Sequence, residues 1–468
     1  MSTRHTINRS TGTANAKEQT GRGTSGLDVI NPHAAGLDLH KEIITACAPV
    51  IVGDTRHPVR TFGTYTHALR DLATWLKKQG TTTVAMEATG VFWFPVIEIL
   101  RAEGLEVLLV NAREVRSVKG RPKTDKLDCE WIRRLHACGL LRGSFIPDTE
   151  TGALKSLWRH RMNMEQEDAR AIQRMQKAFQ IMNIRLDMAV TDIVGETGIR
   201  IIEAILAGER DPHELAKLRD PRVAKSEREI ATALEGNFKA EQLFIIRENL
   251  AHHRFLQGRI AETDNLMATR MATMEKKASA SELPAATKPD RSNHGEALTR
   301  EHLYELLGVD LTQIDGVGVL TASSFLVNAG RDMSPWATEK HFAAWLGLSP
   351  NVKQSAGKTR SGPTRQTASA LAHALRMSAL TISRVDSWLG AYCRRLKGRI
   401  GAPKAITATA HKLAIIFYRA VKEGGVVKRL DAEAYEQAHR ERTLKNLRHR
   451  AAHFGFDLMP KDIVPVMA

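Results

Sequence analysis

Hydrophobic and polar positions follow two different periods between about residue 33 and residue 141. Short apolar runs predict strands at Ala34–Leu39 and Ile43–Val52, and "HPVRTFGTY" predicts a third. The apolar residues of "THALRDLATWLKKQG" are spaced as in an amphipathic helix closed by Gly80. A strand, a helix, a strand and a helix follow in "TTVAMEATG", "VFWFPVIEILRAEG", "LEVLLVN" and "DKLDCEWIRRLHACG". The order βββαβαβα predicts an α/β domain whose mixed sheet is flanked by helices.

The pattern becomes helical after residue 150, and no convincing strand is predicted in residues 151–275. Alternating spacings of three and four predict a coiled coil or a helical hairpin at Ile172, Met175, Phe179, Met182 and Leu186, and again at Leu243, Ile246 and Leu250. The Pro-, Ser- and Ala-rich "KKASASELPAATKPDRSNHG" predicts a linker or an insertion. The expected regions are a disordered basic arm (1–30), the α/β domain (31–150), an α-helical coiled-coil middle (151–275), the linker (276–302), a mainly α C-terminal domain (303–425) and a charged helical tail (426–468).

The charge of the chain indicates the class of its partner. The 468 residues include 68 Lys and Arg against 52 Asp and Glu, a formal net charge of +16. Such a balance favours a polyanion such as nucleic acid, although a basic ribosome-associated or membrane-surface protein would share it. The four cysteines lack the spacing of a zinc site, which favours reduced thiols. No apolar run reaches about 18 residues and no signal-peptide pattern opens the chain, so we expect a soluble, intracellular protein without a membrane partner.

Carboxylates close two of the predicted strands and open the last predicted helix of the α/β domain. Asp38 is near the end of the first strand and Glu87 ends the fourth, and these strands are parallel neighbours in the usual sheet of this order. Asp125 and Asp128 share one face of the helix. Carboxylates gathered in this way repel one another unless a divalent cation lies among them, and hard oxygen ligands suit Mg²⁺ or Mn²⁺. In the alternative interpretation, Asp125 and Asp128 only stabilise the N-terminus of the helix, where negative charges are favoured.

The motifs "GLDLHK", "VAMEATGVFW" and "KTDKLDCEWIRRL" resemble those of the DEDD-type insertion-sequence transposases of the one-ten family. The N-terminal domain of that family is similar to the RuvC and RNase H fold, and the resemblance covers about residues 34–146 and resumes near 308. It implies that Asp38, Glu87, Asp125 and Asp128 are four metal ligands. A run of basic residues leads into this site: Arg113, Arg116, Lys119, Arg121 and Lys123. The alternative interpretation of this run is a solvated loop.

The second half of the resemblance contains a glycine turn and a serine. Gly316 and Gly318 precede an apolar helix and resemble a helix-hairpin-helix element that binds phosphate, although an ordinary turn at a helix start is equally consistent. We interpret "NVKQSAGKTRSGPTRQTASALAHALRMSAL" as a Gly-, Ser-, Lys- and Arg-rich loop leading into a helix. The resemblance implies that Ser355 is the nucleophile, with Ser361 as its rival. The sequence departs from the family pattern at Gln354 and Ala356.

Basic residues accompany this serine. Lys358, Arg360 and Arg365 could stabilise a pentavalent phosphate. Four more cations are expected either to contact phosphates or to form a solvated helix face: Arg394, Arg395, Lys397 and Arg399.

The resemblance implies a transposase or recombinase that cleaves and rejoins DNA through a phosphoserine, assisted by Mg²⁺. It also implies an element-encoded guide RNA that pairs with donor and target DNA, and a dimer or tetramer in which carboxylates and serine come from different subunits. We expect such an enzyme in the bacterial cytoplasm, at the nucleoid. The alternatives are a RuvC-like junction nuclease that uses activated water, and a non-catalytic nucleic-acid-binding scaffold.

Overall fold

The chain divides into two compact units, residues 1–146 and 147–468. The structure, a computed structural model, describes residues 28–50, 57–88, 90–111, 125–286, 299–355, 358–367, 369–424 and 432–459. The side chains at 125–126, 352–361, 432 and 434 are not among those described. Most of the predicted N-terminal arm, residues 1–27, also lies outside the described residues.

The first unit has the predicted α/β architecture. Its strands are β1 (Ala34–Leu39), β2 (Ile43–Cys47), β3 (Val59–Gly63), β4 (Thr83–Glu87) and β5 (Glu106–Val110), and its described helices are α1 (Thr66–Lys78), α2 (Trp93–Ala102) and α3 (Asp125–Ala137). The strand order is β3-β2-β1-β4-β5. Strand β1 is antiparallel to β2 and parallel to β4, so the sheet is mixed, as the sequence predicts.

Side chains alternate between the two faces of this sheet; α1 and α2 cover one face and, among the described helices, α3 covers the other. Leu37 and Met86 belong to the core formed with α1 and α2. Ala85 belongs to the opposite cluster, where it packs with Ile132 of α3. Because successive residues of a strand point to opposite faces, Gly36 lies on the α3 side together with Ala85.

Helix α3 approaches β1 very closely at Gly36. A Cβ atom at this position would lie 2.3 Å from the backbone nitrogen of Arg133 and 2.4 Å from the carbonyl oxygen of Cys129. Neither atom can move without displacing the helix. Gly36 therefore allows the helix backbone to rest directly on the strand, which determines how near the start of α3 comes to the strand ends.

Gly36→Ala is expected to destabilise the first unit by about 1–3 kcal/mol or more, because the added methyl group overpacks a contact between two backbones. Gly63→Ala is the matched control, since a Cβ there meets only the Ala68 methyl carbon, at 3.6 Å. Chemical denaturation followed by circular dichroism measures the difference. Equal unfolding free energies for the two variants would contradict this account of the α3 contact.

A pair of long helices forms the first part of the second unit. Its helices are α4 (Thr149–Ile181), α5 (Leu186–Ala189), α6 (Glu196–Ala207), α7 (Pro212–Ala216), α8 (Glu227–Leu234) and α9 (Ala240–Thr273). Arg161 of α4 forms an ion pair with Asp264 of α9, and further along α4 Asp168 binds His253. The second contact lies later along α4 but earlier along α9, so the two helices run antiparallel.

The predicted apolar run from Ile172 to Leu186 extends past the end of α4, and so beyond the antiparallel hairpin that α4 forms with α9. Helix α4 ends at Ile181, and Asn183 has a positive φ of 57°. Met182 and Leu186 are buried in a core shared with the short helices α5–α8. The end of the run therefore belongs to a compact helical cap at the tip of the hairpin.

The C-terminal part of the second unit is mainly helical. It contains 3₁₀ turns at Ala280–Glu282 and Leu311–Gln313, strands β6 (Pro350–Ser355) and β7 (Lys358–Thr364), and helices α10 (Arg300–Leu307), α11 (Val319–Ala329), α12 (Glu339–Trp345), α13 (Ala370–Ile382), α14 (Trp388–Ile400), α15 (Ala402–Glu423) and α16 (Ala432–His453). Part of the predicted linker, residues 287–298, lies outside the described residues.

The interpretation of residues 351–364 as a loop is wrong. Strands β6 and β7 pair antiparallel in a separate two-stranded sheet, from Pro350 opposite Thr364 to Ser355 opposite Lys358. The backbone hydrogen bonds of the ladder hold this polar segment in extended form. The helix that was expected to follow is α13.

None of the helices in the described part of the chain is both long and apolar enough to cross a membrane.

Candidate active site

Two carboxylates lie at adjacent strand ends, on the sheet face that α3 covers. Strands β1 and β4 are parallel, with Gly36 opposite Ala85 and Leu37 opposite Met86. Continuing this register by one residue places Asp38 beside Glu87. Residues two apart on a strand point to the same face of the sheet. Asp38 therefore shares the face of Gly36, and Glu87 shares the face of Ala85, so both positions belong to the α3 side.

The start of α3 brings further acidic residues to this side of the sheet. The helix begins at Asp125, as predicted, and the Oδ1 atom of Asp128 is buried. A hydrogen bond with Cys47 and burial raise the pKa of the neighbouring Cys129 thiol, and the negative charge of Asp38 acts in the same direction. Gly36, two residues before Asp38 on the same face of β1, lies against the backbone of Cys129, so Asp38 is near the beginning of α3.

The donor set suits a hard divalent cation, because every predicted ligand is a carboxylate. Among the side chains that the structure describes, no group of three or more His, Cys, Asp or Glu could hold a metal ion. The side chain of Asp125 is not in that set. The backbone brings the two strand ends and the start of α3 to one side of the sheet, and the joint role of the four acids as metal ligands stays a prediction.

Residues just after β1 were not singled out from the sequence, although they stand in the "DLHK" motif itself. His40 Nε2 lies 3.3 Å from Asp38 Oδ2. His40 and Lys41 also line a cavity of about 350 Å³, whose other walls include Val91 and Phe92. Exposed apolar residues in "TGVFWFP" are a sequence signal that could have revealed this cleft next to the strand ends.

The candidate nucleophiles occupy different positions in the β6–β7 hairpin. Ser355 is the last residue of β6 and pairs with Lys358, the first residue of β7. Ser361 lies within β7, opposite Val352. Ser355 is therefore at the end of the ladder and Ser361 is in its middle. Their side chains lie outside those described, as do the side chains of Lys358 and Arg360.

The glycine turn before α11 has a packing role. Gly316 has a positive φ of 70°, and a Cβ there would lie 2.5 Å from Ile382 Cγ1 and 3.0 Å from the carbonyl oxygen of Ser378. Gly318 is the N-cap of α11, and a Cβ there would meet no atom within 4 Å. Gly316 is thus required by backbone conformation and packing on α13, whereas Gly318 leaves open space at the start of a helix.

The predicted phosphate-binding cations differ in their surroundings. Arg365 is exposed and donates to the Trp345 carbonyl oxygen at 3.2 Å. On α14, Arg394 donates to the Val385 carbonyl oxygen and Lys397 to Ser383 Oγ, both at 2.8 Å. Arg395 forms an ion pair with Glu436 of α16 at 3.6 Å, and Arg399 is exposed. The basic run Arg113, Arg116, Lys119, Arg121 and Lys123 lies outside the described residues.

Two family models match the chain in the regions that carry these features. A model for DEDD transposases of the IS110 type, described as "Transposase", matches residues 35–184. A second, described as "Transposase IS116/IS110/IS902 family", matches residues 310–394. Together they span about half of the sequence, one over the strands with the carboxylates and the other over the serine hairpin. A search of curated proteins found no match. The chain belongs to the IS110 family of transposases and is a DNA transposase.

Proposed function

We propose that Asp38, Glu87, Asp125 and Asp128 form the metal site of this transposase and that Ser355 is its nucleophile. The observation that carries the first half is the parallel pairing of β1 with β4, since it makes Asp38 and Glu87 neighbours on the side of the sheet where α3 begins. The position of Ser355 at the end of the β6–β7 ladder supports the second half, because no further strand pairing follows it in β6.

The four carboxylates would hold Mg²⁺, with Mn²⁺ as a substitute. Bound there, the cation supplies positive charge that stabilises oxygen atoms at a phosphate undergoing displacement. The protein's contribution is geometric: two ligands come from rigid strands and two from a helix that rests directly on β1 at Gly36. His40, beside Asp38, restricts the orientation of that carboxylate.

In the proposed reaction, the serine hydroxyl is the group that cleaves the DNA strand. The Ser355 oxygen attacks a DNA phosphodiester and loses its proton, a phosphoserine ester forms, and the phosphate's bond to one of its two sugars breaks and releases a DNA hydroxyl end. Lys358, Arg360 and Arg365 stabilise the pentavalent phosphate. A DNA hydroxyl later attacks the phosphoserine, which restores Ser355 and rejoins the DNA without an external energy source.

The proposal includes the partners implied by the resemblance. A structured noncoding RNA encoded by the element pairs with donor and target DNA and supplies the sequence specificity, while the protein binds backbone and shape. The active form is a dimer or a tetramer in which carboxylates and serine act from different subunits. Phosphate contacts come from the basic residues near 113–123, from the Gly318 helix start and from Arg399. The enzyme acts at the nucleoid in the bacterial cytoplasm.

Covalent capture tests the proposed reaction. The purified chain is incubated with Mg²⁺, end-labelled DNA containing the element's ends, and the element's flanking transcript, and the products are separated under denaturing conditions. Labelled DNA attached to protein is expected. Nicked DNA without attached protein would instead support a nuclease that hydrolyses DNA with water.

Sequencing the RNA that co-purifies with the expressed element tests the guide. One discrete species encoded beside the transposase gene is expected. A random sample of cellular RNA would contradict RNA guidance and leave the covalent reaction untouched.

A further inference from the structure

We infer that the exposed half of helix α16 is an arm that binds the major groove of duplex DNA. This inference rests on the chain being a DNA transposase and adds a surface outside the proposed catalytic residues. Every residue from Arg440 to Arg450 is exposed, over three successive helical turns. A helix that is solvated all round gains little from tertiary packing, so the surface of this segment is available to a partner.

The start of α16 is attached to α14 by specific contacts. The Tyr435 ring lies 5.7 Å from the Trp388 ring, and the Arg395 guanidinium lies 5.1 Å from the Tyr435 ring centre. Arg395 also forms an ion pair with Glu436 at 3.6 Å. One end of the helix is therefore held while the rest extends into solvent. Arg395, predicted to bind phosphate, contributes to this attachment.

The exposed half carries a dense and uncompensated positive charge. Its five cations are Arg440, Arg442, Lys445, Arg448 and Arg450, against the single carboxylate of Glu441. Within the described part of the chain, none of these five forms an ion pair with a carboxylate. Their positive charges are therefore available to a polyanion.

The arrangement of the cations favours a groove over a flat surface. At about 100° per residue, the five side chains leave the helix at angles about 60–80° apart around its whole circumference. A flat partner would meet only one side of such a helix. The major groove of B-DNA is about 12 Å wide, admits a helix and has phosphates along both walls. The major groove of duplex RNA is too narrow and deep to admit a helix.

The apolar residues of the arm are consistent with the same partner. Leu444 and Leu447 are 39% and 45% exposed, and the thymine methyl groups on the floor of the major groove accept apolar contacts. Pairing of two copies through these leucines would bring two sets of five cations together. Mutual repulsion therefore disfavours a second copy of this helix as the partner.

Salt-dependent binding to a short random-sequence DNA duplex tests the arm. Replacing Arg440, Lys445 and Arg448 together by Gln is expected to weaken binding about tenfold or more at 0.1 M salt, and to reduce the slope of log Kobs against log salt by about 2.7, since each phosphate contact contributes about 0.9. Fluorescence anisotropy of the full chain, without Mg²⁺, measures both quantities. Circular dichroism checks that helix content is retained.

The matched control removes the same charges elsewhere. Arg170, Arg174 and Lys177 are exposed on α4, and their triple replacement by Gln makes the same change in net charge. An equal loss of binding in the two triple variants would overturn the arm by showing a bulk charge effect. If the variant with Arg440, Lys445 and Arg448 replaced by Gln lost affinity for an RNA hairpin but bound the DNA duplex normally, that result would also overturn the arm.

Two further results separate the remaining possibilities. If Leu444→Asp with Leu447→Asp lowers the oligomeric mass in light scattering and leaves DNA affinity unchanged, the surface binds a second copy and the inference is overturned. If the unaltered chain does not bind duplex DNA at all, the arm fails together with DNA binding. Normal binding by the unaltered chain, with no difference between the two triple variants, would reject the arm alone.

Discussion

Asp38→Asn is expected to reduce Mg²⁺-dependent strand cleavage by at least about a hundredfold. A metal ion contributes several kcal/mol of charge stabilisation, and each 1.4 kcal/mol corresponds to a factor of ten in rate. The change removes one negative charge from a strand end whose neighbour in the continued register is Glu87. Cleavage is measured as product formed from labelled DNA under single-turnover conditions, over a range of Mg²⁺ concentrations.

A second measurement makes this prediction independent of catalysis. Mn²⁺ binding, followed by isothermal titration calorimetry, is expected to weaken in Asp38→Asn and in Glu87→Gln to a similar extent, because both are proposed ligands of one site. Asp71→Asn is the control, since Asp71 is exposed on α1 and the substitution changes the charge of the same unit equally. Full cleavage and unchanged Mn²⁺ binding in Asp38→Asn would refute the metal site.

Ser355→Ala is expected to eliminate the covalent protein–DNA product. The substitution deletes only the hydroxyl oxygen, and the backbone pairing of residue 355 with Lys358 does not depend on that atom. The hairpin should therefore remain intact while the phosphoserine can no longer form. Denaturing electrophoresis of end-labelled DNA, with and without protease treatment, detects the adduct.

Ser361→Ala is the matched variant in the same hairpin. It removes the same atom from the middle of β7, opposite Val352, and is expected to leave adduct formation intact. The reverse result, with the adduct lost only in Ser361→Ala, would assign the nucleophile to Ser361. Cleavage that persists in both variants without any adduct would favour the water-dependent nuclease.

The elements of the first unit could be predicted from its sequence. The amphipathic period of α1 and the short apolar runs of β1 and β4 are local properties of the chain, and the structure confirms them. The βββαβαβα order also indicated that β1 and β4 are parallel neighbours, which is confirmed. The proximity of Asp38 to Glu87 follows from this topology alone. Their joint role in metal binding stays a prediction.

Other features depend on pairing or packing that the apolar pattern does not specify. The β6–β7 hairpin is polar and lacks an alternating pattern, so only its backbone pairing reveals it. The apolar spacing around Met175 is compatible with a coiled coil, and the fold of residues 182–234 determines that the run ends in a compact cap. The role of Arg395 likewise depends on the position of Tyr435, forty residues further along the chain.

By itself, the sequence determined where the strands and helices of the first unit lie, which acidic residues end or begin them, and that the chain carries a strong positive charge. Those properties depend on the period of neighbouring residues and on composition. The tertiary structure decided that α3 rests on β1 at Gly36, that Ser355 lies at the end of the β6–β7 ladder, and that half of α16 remains exposed. The first and the third depend on packing between residues far apart in the chain, and the second on backbone pairing within a polar segment, which no apolar pattern specifies.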